Sequence, residues 1–252
     1  MIAFSKLSAD SAIGRVARLS LRCVPRSAVF TILQGPGRGL RWVVGSSNHG
    51  CWLGSYEIDK QNYFRHCVKP GMICYDIGAN AGFYTLLLSK LVGPAGHVFA
   101  FEPVPENCLA LKRHLALNEI RNVTLIECAV GDSDGTAGFE LGALNSLGRL
   151  NSGGGLEVQI RTLDSLISMR RIVPPDVMKI DVEGAEAQVL RGARRLLASA
   201  SPIISVATHG AAAHSECIDL LRANGFTVDG MGGRAIELTD ELCATRLCAA
   251  IT

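Results

Sequence analysis

The sequence predicts an α/β fold: one large Rossmann-like domain with a mostly parallel, doubly wound sheet and helices on both faces. Three observations predict it. From Met72 onward, strand-length apolar runs alternate with segments of helical periodicity. Glycine and polar residues collect where those runs stop, which is where an open α/β sheet holds its ligand. A chain of 252 residues with 48% hydrophobic side chains is also long and apolar enough to bury a substantial core.

In order, residues 1–26 form a basic extension in which Lys6, Arg15, Arg18, Arg22 and Arg26 stand against Asp10 alone. Ile13, Val16, Ala17 and Leu19 interleave with the arginines at roughly helical spacing. This allows an amphipathic helix able to make peripheral contact with an anionic membrane, although a solvated or docked helix is the weightier reading. The start of the chain has no uninterrupted apolar run of signal-peptide type, and no run is long enough to span a bilayer, so a cytoplasmic protein is expected.

Residues 27–71 read as a hairpin and a helix that precede the main fold. Apolar β-prone runs flank Gly35-Pro36-Gly37-Arg38-Gly39, and a helix over 56–68 has Tyr56, Tyr63, Phe64 and Cys67 as its apolar members before Pro70-Gly71 stops it. Residues 72–252 form the main domain. Its strands are predicted at 72–77, 97–101, 123–128, 177–181, 203–208, 226–228 and 246–251, with helices at 84–91, 105–117, 185–197 and 212–224. The glycine-rich stretch 135–155 reads as a mobile loop with one short strand, long enough to cover a site.

Bulk charge narrows the partners. With 25 basic against 23 acidic residues and a net charge of +2, no global field marks a nucleic-acid binder, and 6% aromatic residues offer little for base stacking. A small-molecule, glycan or lipid acceptor is the easier expectation. Nine scattered cysteines with no Cys-x-x-Cys pair fit free thiols in a reducing compartment better than disulfides or zinc.

The strand ends carry the chemistry. The first predicted strand ends at Asp76-Ile77 and enters Gly78-Ala79-Asn80-Ala81-Gly82, where glycines allow a tight turn and close approach of a ligand to the backbone. Taken alone, such a turn is weak. Glu102, at the end of the second strand and followed by Pro103, stands where an acid accepts both hydroxyls of a ribose. Asp76 at the mouth of the turn would repel a diphosphate but tolerate a sulfonium and an ammonium, and Asn80 replaces the second glycine of a dinucleotide fingerprint. These features favour S-adenosylmethionine as the cofactor. Ala129 and Asp132 follow the third strand, where they could meet an adenine edge, although Asp132 lies in what also reads as an ordinary turn.

Asp181 and Glu183 follow the fourth strand, where a carboxylate can orient an acceptor or take its proton. Glu186, in the first turn of the next helix, is explained by the helix dipole alone. His209, after the fifth strand, is the candidate base. Asp181 and Glu183 by themselves supply too few ligands for a divalent cation, so no metal is expected.

The segments Asp-Ile-Gly-Ala-Asn-Ala-Gly-Phe-Tyr-Thr at 76–85, Phe-Glu-Pro at 101–103, Leu-Asp-Ser-Leu at 163–166 and Lys-Ile-Asp-Val-Glu-Gly-Ala-Glu at 179–186 resemble the FkbM family of methyltransferases, as does Gly-Ser-Tyr-Glu at 54–57. The resemblance implies a class I methyltransferase fold with a seven-stranded sheet, one strand antiparallel, and usually O-methylation of a hydroxyl on a natural product, sugar or lipid. It implies cofactor contacts from Asp76, Gly78, Asn80, Gly82 and Glu102 with Tyr56 and Glu57 nearby, and a methyl-transfer pocket lined by Asp181 and Glu183. The chain departs from the family at Ala207, near which a glutamate is common, and this leaves the acceptor and the base open. A nicotinamide-dependent oxidoreductase and a non-catalytic S-adenosylmethionine-binding module remain as rival readings.

Overall fold

The apolar runs at 73–77, 97–101 and 177–180 become the middle of a sheet, and packing of helices on both of its faces explains why they carry so little polarity. The computed structural model describes residues 21, 24–141, 148–151 and 156–246. The chain begins with β1 (Val29–Thr31), β2 (Arg41–Val43), α1 (His49–Leu53) and α2 (Ile58–Cys67). It continues through β3 (Ile73–Ile77), α3 (Phe83–Val92), β4 (His97–Phe101), α4 (Pro105–Leu117) and β5 (Val123–Ile126). Then come β6 (Ala129–Val130), β7 (Gly135–Leu141), β8 (Gly148–Asn151), β9 (Leu156–Arg161) and α5 (Leu163–Ser168). The last part holds β10 (Val177–Ile180), α6 (Glu186–Arg191), α7 (Arg194–Ser199), β11 (Ile203–Ala207), α8 (Ala211–Ala223), β12 (Thr227–Gly230) and β13 (Glu241–Thr245).

The main sheet has seven strands in the order β12-β13-β11-β10-β3-β4-β5, and β13 runs antiparallel to both of its neighbours. This is the expected doubly wound sheet. From β3 the chain winds outward through β4 and β5, then returns to lay β10 on the other side of β3. That reversal opens a crevice beyond the carboxyl ends of β3 and β10. Register also brings two charges together inside the sheet: Lys179 is the partner of Asp76, so each is tolerated in a central strand by the other.

Three expectations are corrected. Within 135–155 the described residues 135–141 and 148–151 are strands where a loop with one short strand was expected: β7 pairs antiparallel with β8 and β9, and with β6 they make a second, four-stranded sheet. Leu156, Val158 and Ile160 alternate with Glu157, Gln159 and Arg161, a strand pattern that the nearby glycines obscured. The helix expected over 185–197 is two helices, broken where a side chain at Gly192 would meet the Gly131 carbonyl oxygen at 2.0 Å. The last strand is Glu241–Thr245 instead of 246–251, with Leu242 and Ala244 turned into the core; residues 247–251 lie outside the described part.

The N-terminal segment forms the expected hairpin of β1 and β2, followed by α2. Trp42 is fully buried between the hairpin and α4. The basic extension before residue 24 lies outside the described residues except for Leu21. No described helix is long and apolar enough to cross a membrane. The described cysteines, all but Cys23 and Cys248, are free thiols.

Candidate active site

A cavity of about 990 Å³ opens at the carboxyl ends of β3, β4 and β10. One wall is the turn after β3, where Gly78, Ala79 and Asn80 face Glu102 and Pro103 after β4, with Ala129 beside them. The N-terminal segment also lines the cavity, through Arg26, Val43, Ser46, Ser47, Asn48 and Tyr56. The hairpin thus shapes the site, a role that its turn and strand signals did not announce.

The turn is held by its own chemistry. Asn80 takes a left-handed backbone at φ 50°, which asparagine tolerates better than most residues, and its side chain accepts from Ala81 N–H at 2.6 Å. Its N–H donates to Glu102 Oε2 at 2.8 Å, while Glu102 Oε1 accepts from Val104 N–H at 3.0 Å and from Asn107 Nδ2 at 3.1 Å. A carboxylate offers about four acceptor positions, so this geometry leaves room for one ribose hydroxyl on Oε2 instead of the expected two. Burial raises the Glu102 pKa, against those same hydrogen bonds.

Gly78 and Gly82 serve packing within the chain. A side chain at Gly78 would meet the Asp181 carbonyl oxygen at 1.8 Å, and one at Gly82 would strike Leu111 at 2.2 Å. Close approach of strand to strand with a φ of +78° demands glycine at 78, and a left-handed φ of +94° favours it at 82. Gly82 is not on the cavity wall.

Asp76 is likewise not on the wall. It is fully buried, paired with Lys179 Nζ at 2.9 Å and accepting from the Thr85 hydroxyl at 2.6 Å. The expectation that its charge screens out a diphosphate is therefore corrected, because Lys179 neutralises it. The carboxylates that line the cleft are Glu102, Glu106, Asp181 and Glu183.

Asp181 stands at the centre of the floor. Lys60 Nζ lies 3.6 Å from its Oδ2, Lys179 Nζ 3.9 Å from the same oxygen, and His209 Nε2 4.0 Å from Oδ1. Burial alone would raise its pKa, but Lys179, Lys60 and His209 outweigh burial and hold the carboxyl below its ordinary value. Glu183, left-handed at φ 55°, is 3.3 Å from His209 Nε2.

His209 is just off the wall and faces three carboxylates. Its Nδ1 meets Glu186 Oε1 at 2.8 Å, and that bond, against burial, raises its pKa to about 9, with help from Glu183 and Asp181. The ring is cationic at neutral pH, which removes the lone pair that the expected base would need. Glu186 does more than complement a helix dipole: it is buried, accepts from Gly184 N–H at 2.8 Å and fixes the imidazole. One ligand atom each from Asp181, Glu183 and His209 lies within 4.8 Å of the others, so a third group joins the two carboxylates that the sequence offered to a cation.

Glu57 and Asp132 are off the wall as well. Glu57, left-handed at φ 42°, accepts from the Tyr84 hydroxyl at 2.8 Å and so braces the floor from behind. Asp132 is exposed and 3.4 Å from Arg191 Nε, as expected of an ordinary turn. Three site residues escaped the sequence: Lys60, Lys179 as the partner of Asp76, and Glu241. For Lys60 a signal existed, since positions 56, 60, 63, 64 and 67 trace one helical stripe and a lysine interrupts its apolar members.

The methyltransferase FkbM domain model matches residues 76–228 of the chain. The chain belongs to this family. It is an S-adenosylmethionine-dependent methyltransferase of class I fold, and the nicotinamide reading falls away. The 31-O-demethyl-FK506 methyltransferase FkbM of Streptomyces tacrolimicus is 29% identical over 211 residues, covering 66% of this chain and 77% of that protein. The hexuronic acid methyltransferase AglP of Haloferax volcanii is 28% identical over 137 residues, covering 52% and 54%. A solved FkbM methyltransferase from Methylobacillus flagellatus KT shares the fold at a TM-score of 0.52 and 16% identity, over 79% of this chain and 55% of that one. The chain thus spans little more than half of the last two proteins.

The cleft of this FkbM-family chain fits S-adenosylmethionine. Glu102 keeps an acceptor position for a ribose hydroxyl, and the floor presents carboxylates to a ligand that carries a sulfonium and an ammonium. The cofactor supplies an electrophilic methyl group; the protein supplies alignment, desolvation and a place for a proton.

Proposed function

We propose that the protein methylates a hydroxyl on a small molecule, sugar, glycan or lipid, with Asp181 receiving the hydroxyl proton. The oxygen attacks the sulfonium methyl in line, the carbon–sulfur bond breaks, and S-adenosylhomocysteine leaves neutral at sulfur. As the new oxygen–carbon bond forms, the hydroxyl becomes oxonium-like and strongly acidic, so a weak base suffices provided that it stays ionised. The observation that carries the reading is the setting of Asp181, on the cavity wall and within 4.0 Å of Lys60, Lys179 and His209.

His209 acts in this scheme as a cation held by Glu186, steadying Asp181 and Glu183. Glu102 holds the ribose, and the turn at Gly78, Ala79 and Asn80 lies along the rest of the cofactor, with Tyr56 also lining the cavity. One relative's name, 31-O-demethyl-FK506 methyltransferase, supports an oxygen acceptor, and the hexuronic acid methyltransferase supports a sugar among the acceptors. The test is product analysis. Purified protein is incubated with S-adenosylmethionine labelled at the methyl group and a panel of sugars, polyols and hydroxylated lipids, and the products are fragmented by mass spectrometry. A methyl ether is expected. Label on nitrogen or carbon, or cofactor binding without any methylated product across the panel, would overturn the reading in favour of a different acceptor chemistry or a non-catalytic binding module.

A further inference from the structure

Lys60 is only 2% exposed, yet it carries a charge that burial disfavours. Its Nζ is 2.7 Å from Glu241 Oε1, 3.5 Å from Glu57 Oε2 and 3.6 Å from Asp181 Oδ2. It also sits over the ring of Tyr84, 5.5 Å from the centroid, and Lys179 Nζ is at the same distance from that ring. These groups come from four places in the fold. Lys60 is on α2 with Glu57 at its start, Glu241 opens the antiparallel strand β13, Asp181 ends β10, and Tyr84 is in the first turn of α3. Lys60, Glu57 and Glu241 all lie outside residues 76–228, so the contact joins segments on both sides of the family domain to its central carboxylate.

Position makes this more than a surface salt bridge. Glu241 is the register partner of Ala207, at the end of the strand that leads to His209. Lys179 is shared between Asp76 and Asp181, and at 3.9 Å it is the more distant of the two lysines from Asp181. Among the described residues Lys60 is therefore the nearest cation to Asp181, and it reaches the cleft through Asp181 and the Tyr84 ring, since Lys60 itself does not line the cavity. The ammonium is held by Glu241 and Glu57, and from that fixed point it sets where Oδ2 of Asp181 lies.

We propose that Lys60 is a positioning residue for methyl transfer, a clamp from the N-terminal helix that holds the Asp181 carboxylate in place for the acceptor hydroxyl. The inference rests on Asp181 being the proton acceptor. It assigns α2 a part in the chemistry and makes transfer depend on its docking, while cofactor binding is spared because Lys60 does not line the cavity.

The experiment is a double-mutant cycle on the full chain with Lys60→Met, Lys60→Arg, Asp181→Asn and the double variant Lys60→Met/Asp181→Asn. Cofactor affinity is read by calorimetry and transfer by single-turnover rate at saturating cofactor. Lys60→Met is expected to bind S-adenosylmethionine within about threefold of wild type and to transfer methyl at least about tenfold more slowly. Lys60→Arg is expected to recover most of that rate, and Lys60→Met is expected to cost nothing further once Asp181 is asparagine. If Lys60→Met does not fold, Lys60→Met/Glu241→Gln, which removes one of the stranded carboxylates, carries the same comparison. A rate within about twofold of wild type, equal loss of cofactor affinity and rate, or full additivity in the cycle would overturn the clamp. If Asp181→Asn is itself harmless, the proton-acceptor reading fails, and the two failures are told apart.

Discussion

Trp42 lies flat against His114, with ring centroids 3.9 Å apart and planes 12° from parallel. The same imidazole accepts from Val43 N–H through Nε2 at 3.0 Å and meets the Ala81 carbonyl oxygen through Nδ1 at 2.8 Å, so it joins the hairpin to the turn after β3. Those partners require the neutral ring, and burial pulls its pKa down to about 4 despite the bond to Ala81. The unfolded chain takes up this proton near pH 6.5, whereas the folded chain resists it until about 4. Stability contributed by the neutral ring is therefore present above pH 6.5 and lost as pH falls through that window, by an amount on the order of 2 to 3 kcal/mol. Urea midpoints between pH 7 and 4.5 should fall more steeply for wild type than for His114→Gln. Parallel pH dependence in the two proteins would contradict this reading.

Glu102 joins the turn to the cofactor, so its loss should act on both. Glu102→Ala is expected to weaken S-adenosylmethionine binding by about 1.5 to 3 kcal/mol, through the lost ribose contact and the released Asn80 and Val104 amides. Titration calorimetry reads it directly. Affinity equal to wild type would show that the ribose lies elsewhere.

The buried pair of Lys179 and Asp76 makes a different kind of claim. Lys179→Met leaves a carboxylate without its cation inside the sheet and should destabilise the fold by about 3 to 5 kcal/mol, while Lys179→Met with Asp76→Asn should recover a large part of that loss. Chemical denaturation of the single and double variants separates the outcomes. If the two changes simply add, the pair is not coupled in the way its 2.9 Å contact implies.

Gly78→Ala tests whether that glycine serves the sheet. With φ at +78° and the Asp181 carbonyl oxygen 1.8 Å from where a side chain would sit, the substitution should cost at least about 2 kcal/mol of stability. A thermally unperturbed variant with weakened cofactor binding would point instead to ligand approach.

The sheet was legible because its signals are local and periodic. The runs at 97–101 and 105–117 appear in the structure with the bounds read from sequence, and Glu102 stands on the cleft where strand-end reasoning put it. What was not legible depends on register and on distant pairing. Nothing in the sequence around Asp76 says that Lys179 will lie beside it across two strands, and so a buried ion pair read as a ligand-facing charge. Glycines at 135 and 138 hid β7, because glycine frequency argues for loops even where the flanking residues alternate. His209 stands at the expected rim, but the sequence did not show Glu186 bonded to its Nδ1 or Asp181 and Glu183 beside its Nε2, and these three carboxylates favour the protonated ring.

The single-turnover rate of methyl transfer by Asp181→Asn, measured with cofactor occupancy matched to wild type, bears most directly on the whole account. The rate should fall by about a hundredfold or more while S-adenosylmethionine binding persists, because asparagine keeps the shape but cannot take the hydroxyl proton. A variant that binds the cofactor and transfers methyl as fast as wild type would contradict it.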